Sequence, residues 1–268
     1  MILRRVIAHF KKQEWTAIAL DFLIVVMGVF IGIQVANWNN ARADHATEVT
    51  YLNLLQRDMR ATITDLEEQI EFERFQAQQA SKAVTIISQP PSQMRRRKIG
   101  MILSQLGTRR TLRIDSPTFQ DLQSSGRLGL IADPLLRSEI VTHFFRINRW
   151  EAIVDKNNEQ FIDNIFNRFL SNYSIGSWSW DDTVMQQSLP STSITGLKDA
   201  HEIIDPHLHE TGGANLMLPE SDPFWDEVMI NLSRRAKISI ANVNVSENLL
   251  AATQETEAKI AAYLEGRD

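Results

Sequence analysis

From Thr16 to Ala36 the chain reads TAIALDFLIVVMGVFIGIQVA, twenty-one residues of which only Thr16, Asp21 and Gln34 are polar. A helix of that length rises about 31 Å at 1.5 Å per residue, enough to cross a hydrocarbon core of ~30 Å. Trp15 and Trp38 bracket the stretch, as amphipathic rings do at the two membrane interfaces. Arg4, Arg5, Lys11 and Lys12 precede it against a single Glu14, whereas Arg42 stands nearly alone on the other flank. The positive-inside rule then predicts a basic cytoplasmic tail over 1–14, a transmembrane helix over 15–38 and an exported domain over 39–268. In a bacterium this is the inner membrane, with the C-terminal domain in the periplasm. One short segment thus restricts the rest of the chain to a domain tethered at one end.

Two other readings compete with a retained anchor. A cleaved signal peptide also has a basic start and an apolar middle, and Ala41-Arg42-Ala43 is an A-x-A-like site. Against it, the apolar stretch is long for such a peptide, carries Asp21 near its start and ends in the bulky polar run Asn37-Trp38-Asn39-Asn40. The other competitor is a buried soluble helix, but those rarely run so far with so few charges. The anchor is the better reading. At ~100° per residue, Asp21, Gly28, Gly32, Val35 and Asn39 share one face of it. Gly28 and Gly32 form a GxxxG, which lets two helices approach closely. An ionisable group in a bilayer is normally turned toward a partner or water. Asp21, Gly28, Gly32 and Asn39 are therefore the expected membrane-helix packing face, open to a homo-oligomer or to a membrane-protein partner.

These residues resemble a known pattern. Asp21-Phe-Leu-Ile-Val-Val-Met-Gly28, followed by Gly32-Ile-Gln34-Val-Ala-Asn37-Trp38-Asn39, is similar to the membrane helix of an uncharacterised family of bacterial single-pass membrane proteins, a domain-of-unknown-function family. Its members open an apolar helix on an acidic residue and close it on Gln-x-Asn-Asn-Trp-Asn. The chain departs from that pattern with Asp21 for the usual Glu, Ala36 for the first Asn and Asn40 for Glu. A second stretch, from Phe119 through Leu122, Ser124-Ser125-Gly126 and Leu128 to Ile131, resembles the family's soluble part, as do Leu136-Arg137 and Phe144-Phe145 after it. The resemblance implies a location and an architecture, and no activity.

Beyond the span, composition narrows the classes of function. The chain has 268 residues, with 28 Lys+Arg against 33 Asp+Glu, a net charge of -5 and no cysteine. The absent thiols exclude a disulfide scaffold, a thiolate zinc site, an iron–sulfur cluster and a cysteine nucleophile. Mild acidity argues against nucleic acid as a partner.

Apolar residues then recur at three- and four-residue steps from Leu52 through Leu55, Met59, Ile63, Leu66, Ile70, Ala77, Ala80 and Val84 to Ile87, with no Pro or Gly between Gly32 and Pro90. This predicts a stalk helix over about 39–88, continuous with the membrane helix and on the order of 70 Å long. A shorter helix is expected from Ser92 to about Gly107. Ser116-Pro117 reads as a cap with Pro at the first helical position, opening a helix that closes at Gly126, and Asp133-Pro134 repeats the device. Long helices are expected over 133–171, with Leu136, Ile140, Phe144, Ile147, Ile153, Phe161, Ile165 and Phe169 inward, and over 221–264. The apolar side of the last is Trp225, Val228, Leu232, Ile240, Val243, Leu250, Ile260 and Leu264. Residues 172–220 read as irregular connection. The expected fold is all-α, one N-terminal transmembrane helix continuing into an elongated antiparallel helical bundle.

Catalytic chemistry is hard to find in this sequence. His201, His207 and His209 with Glu202, Asp205 and Glu210 form the one cluster with metal-ligating side chains. Pro206 interrupts any helix that would present them as a zinc-protease pair, so solvated histidines are preferred and no cofactor is expected. Arg95-Arg96-Arg97-Lys98 reads as a solvated face, and Ser177-Trp178-Ser179-Trp180 as core packing. Ser124-Ser125-Gly126 lacks the setting of a nucleophile elbow and reads as a helix terminus. The expected function is a non-enzymatic scaffold or accessory protein. The competing expectations are a ligand-sensing bundle signalling through a partner and an exported metal-dependent hydrolase built on the 201–210 cluster.

Overall fold

The computed structural model describes residues 15–175 and 213–266, and among them every regular element is helical. Helix α1 runs unbroken over Trp15–Ile87, 73 residues or about 110 Å. Helix α2 spans Gln93–Leu106, α3 Pro117–Ser124, α4 Pro134–Asn157, α5 Asn167–Asn172 and α6 Phe224–Glu265. A π-helical stretch, Asn158–Phe166, joins α4 to α5 without a break.

Local chemistry sets these boundaries. Pro90-Pro91 ends the long first helix. Ser92 caps α2 by accepting from Arg95 N, Ser116 caps α3 through Phe119 N, and Asp133 caps α4 through Leu135 N and Leu136 N. Each such bond satisfies a donor that the first turn leaves without an internal partner. Beyond α3 the chain reverses through Gly126, whose φ of 70° lies in the left-handed region that glycine enters without strain. Helix α6 starts one residue later than its Ser-Asp-Pro opening suggests, with Asp222 Oδ1 accepting from Phe224 N.

The first part of α1, from Phe22 to Ala46, is exposed on every side, and it contains the one stretch among the described residues long and apolar enough to cross a membrane. From Glu48 onward the helix is no free stalk, because it forms one wall of the domain. Its buried positions step as Glu48, Leu52, Leu55, Met59, Thr62, Leu66, Gln69, Glu73, Gln76, Ala80, Ala83 and Ile87, alternating by four and three. Helix α6 answers with Trp225, Val228, Leu232, Arg235, Ser239, Asn242, Ser246, Leu249, Thr253, Thr256 and Ile260, alternating by three and four. Both are strict seven-residue repeats, the spacing that keeps two helices in continuous contact. Glu48 meets Tyr263, Arg60 meets Glu257 and Glu73 meets Arg235, so numbering falls along α6 as it rises along α1.

Two apolar cores lie along this seam. One gathers Ile86, Ile99, Leu103, Leu106, Phe166, Phe169, Trp225 and Leu232 at the end far from the apolar span. The other gathers Leu52, Leu55, Met59, Phe119, Leu122, Ile140, Phe144, Leu249 and Ile260 nearer to it.

The inward faces expected for α4 and α6 need correction. Ile153 is 39% exposed and Ile240 53% exposed, while Phe161 and Ile165 are only half-buried. Beyond Ile147 the buried line instead runs Val154, Asn158, Ile162, Phe166 and Phe169. Asn158 holds a core position there, so following apolar residues alone steps onto the wrong side of the helix. Arg95 is corrected too. It is 1% exposed, with its guanidinium 4.6 Å over the Trp225 ring and Nη1 donating to Gln89 O at 2.7 Å. This is a cation–π contact inside the core, and only Arg97 and Lys98 of the basic run point outward.

Candidate functional site

The most distinctive side-chain arrangement is a polar layer between the two apolar cores. Glu73 on α1 and Arg235 on α6 are both completely buried, with Arg235 Nη1 3.4 Å from Glu73 Oε2. Glu73 Oε1 also accepts from Asn242 Nδ2 at 2.8 Å and from Gln69 Nε2 at 3.4 Å. Asn242 Oδ1 in turn accepts from Asn157 Nδ2 at 2.8 Å, and Arg235 also donates to Ser239 Oγ. Burial pushes the Arg235 guanidinium below its usual range while Glu73 beside it pulls it back up. An arginine so placed stays protonated, which makes the pair a true buried ion pair.

The layer has a backbone task. Residues 107–116 cross from α2 to α3 in irregular conformation, with no strand among the described residues to satisfy their peptide groups. Side chains do so instead. Arg235 Nε donates to Leu106 O at 2.8 Å and Nη2 to Thr108 O at 3.3 Å. Asn167 Nδ2 donates to Gly107 O and Asn158 Nδ2 to Arg110 O, each at 3.1 Å, and Glu151 Oε1 accepts from Ile114 N at 2.6 Å. Three ion pairs add to the clasp: Arg109 with Asp163, Arg110 with Glu68 and Arg113 with Asp155. Buried peptide groups must be paired, and this explains the polar residues in the helix interiors. The π-helical stretch sits here as well, placing Asn158 and Asn167 against the segment. The layer is buried and densely hydrogen-bonded, with Gln69 Oε1 left without a partner among the described residues, an arrangement suited to fixing helix register.

A second polar set lies at the end of the domain nearest the apolar span, where the stretch from Phe119 to Ile131 packs against α1. Phe119 stacks on Phe144 at 4.1 Å, and Tyr51 donates to Asp121 Oδ2 at 2.7 Å while accepting from Arg127 Nη1. Buried Asp58 accepts from Thr118 N and Ser116 Oγ, and Glu48 accepts from Ala132 N and Tyr263 OH. His143, also buried, has no hydrogen-bond partner among the described residues at either ring nitrogen. Burial, with Arg146 nearby, lowers its pKa to about 4.

The residues singled out from sequence fall unevenly on this frame. Gly28, Gly32, Trp38 and Asn39 lie on the bare part of α1, and a Cβ added at either glycine meets nothing within 4 Å. Trp38 stacks under Arg42, 6.0 Å from ring centroid to guanidinium. Trp15 and Asp21 are on the same helix, with their side chains outside the described residues. Arg4, Arg5, Lys11, Lys12, Trp178, Trp180, His201, His207 and His209 lie outside the described residues altogether. Among the described residues no group of His, Asp and Glu is arranged to hold a metal ion. The polar layer escaped the sequence reading because its members, Gln69, Glu73, Arg235 and Asn242, look like surface residues. The usable signal is that Glu73 lies seven residues from Leu66 and Ala80, Arg235 seven from Val228 and Asn242 seven from Leu249.

No protein-family model matches the chain, and no curated protein or solved structure matches it either.

Proposed function

We propose that this chain is a non-enzymatic, single-pass protein of the bacterial inner membrane that acts through interaction, as a scaffold or accessory subunit of another membrane protein. In this reading residues 1–14 are cytoplasmic, 15–38 span the bilayer and 39–268 form an elongated antiparallel helical bundle in the periplasm. It belongs with the uncharacterised single-pass family that its anchor and its 119–131 stretch resemble. The observation that carries the proposal is the unbroken α1, bare and apolar at one end and a wall of the domain at the other. Such a helix couples the body rigidly to whatever its membrane end touches. In-cell crosslinking from the body followed by mass spectrometry tests this. One abundant membrane partner is expected, and recovery of the chain crosslinked only to itself would favour a self-associating sensor instead.

The Asp21, Gly28, Gly32 and Asn39 face is the proposed contact within the bilayer. Because Gly28 and Gly32 have open space around them, leucine at both positions leaves the fold of one chain undisturbed. Gly28→Leu/Gly32→Leu is expected to weaken the signal of a membrane-helix association reporter severalfold; an unchanged signal refutes the face.

A further inference from the structure

Midway along the seam, α1 and α6 line an open groove of about 570 Å³. Half-buried Phe75 and Leu250, over the buried Ile70, supply apolar surface, while Glu67, Glu71 and Glu247 supply three carboxylates against one guanidinium, Arg74. Arg74 is itself tied to Glu247 at 2.5 Å, which leaves the exposed Glu67 and Glu71 to set the sign of the rim. The apolar strip runs on along α6. Met229, Ala236, Ile240 and Val243 recur on the same side of that helix as Glu247 by the 3.6-residue period. Ile240 and Met229 are 53% and 38% exposed there. Two packed helices with an open groove, part apolar and part acidic, have the shape that a third, amphipathic helix fills.

We propose that this groove docks an amphipathic helix of a partner protein, with its apolar stripe on Phe75, Leu250 and the exposed Ile240 and Lys or Arg flanks facing Glu67 and Glu71. The charge argues for a different protein rather than a second copy. The most cationic helix described in this chain, α2, already spends Ile99, Ile102, Leu103 and Leu106 on its own core. The inference rests on the interaction reading above and names its partner's chemistry.

The test uses the full chain in nanodiscs of zwitterionic lipid. Since the chain has no cysteine, Gln78→Cys on the groove wall carries a single environment-sensitive fluorophore. The probes are two synthetic helical peptides of about 18 residues with the same leucine stripe, one flanked by lysines and one by glutamates. The lysine peptide is expected to bind saturably and shift the fluorophore, and Glu67→Lys/Glu71→Lys should weaken it about tenfold. Equal binding of the glutamate peptide, no effect of the charge reversal, or binding of neither peptide overturns the groove. The two claims fail separately. Partner crosslinks mapping away from the groove sink this inference and leave the interaction reading standing, whereas peptide binding without any partner in cells does the reverse.

Discussion

Arg235→Met is expected to lower the stability of the helical domain by about 3–5 kcal/mol, because it strands a buried carboxylate. Glu73 would keep Asn242 and Gln69 but lose the guanidinium it pairs with. The substitution also removes the donors to Leu106 O at the end of α2 and to Thr108 O on the crossing segment. Thermal unfolding followed by circular dichroism should show a drop in Tm on the order of 10 °C. The double variant Glu73→Leu/Arg235→Met separates the two contributions. Removing both charges relieves the stranded carboxylate, yet the two carbonyls still lack donors at about 1–3 kcal/mol for each unpaired group. The double variant should therefore recover part of the loss and remain below the native chain. Full recovery would mean that the segment over 107–116 does not depend on Arg235.

His143 should make the domain acid-sensitive between pH 6.5 and about 4. Its imidazole is neutral and buried in the fold, with a pKa lowered from 6.5 to about 4 by burial and Arg146. A group whose pKa is depressed by folding adds stability above its unfolded value and loses it as the pH falls toward the folded one. At about 1.4 kcal/mol for each tenfold change in proton concentration, the loss reaches roughly 2 kcal/mol at pH 5. Two carboxyls act in the opposite sense. Burial raises both Asp65 and Glu151, so each favours the folded state more as the pH falls through the carboxylate range. Because neither His143 nitrogen has a partner, His143→Leu sacrifices no hydrogen bond. Denaturant unfolding should find this variant close to the native chain at pH 8 and about 2 kcal/mol more stable than it at pH 5. Equal stability of the two at pH 5 would show that the imidazole is solvated.

These effects sit where sequence and structure part company. Helix ends were legible because their chemistry is local: Ser92, Ser116 and Asp133 cap the helices their positions announce, and Gly126 takes the left-handed turn. The length of α1 was legible because nothing between Gly32 and Pro90 breaks a helix. The middle of the seam was not, because burial there depends on a segment distant in the chain. Asn158 and Arg235 face inward where the carbonyls of Leu106, Thr108 and Arg110 need donors, and Glu73 is there as the counter-ion of Arg235. Apolar periodicity therefore drifts onto Ile153 and Ile240, which face outward. Arg95 was misread for a related reason, since its partner Trp225 lies on a helix far along the sequence. The groove flanked by Glu67 and Glu71 needed both helices in place before it existed at all.

The central claim, a body held outside the cytoplasm by an uncleaved helix, is tested most directly by labelling single cysteines in this cysteine-free chain. Lys98→Cys lies on α2 beyond the far end of α1, and His9→Cys lies in the basic tail. With a membrane-impermeant maleimide on intact spheroplasts, Lys98→Cys should label fully and His9→Cys only after lysis, both on a full-length membrane-bound chain. Labelling of His9→Cys but not Lys98→Cys before lysis, or a labelled chain shortened near Ala43 and free of the membrane, would contradict the account.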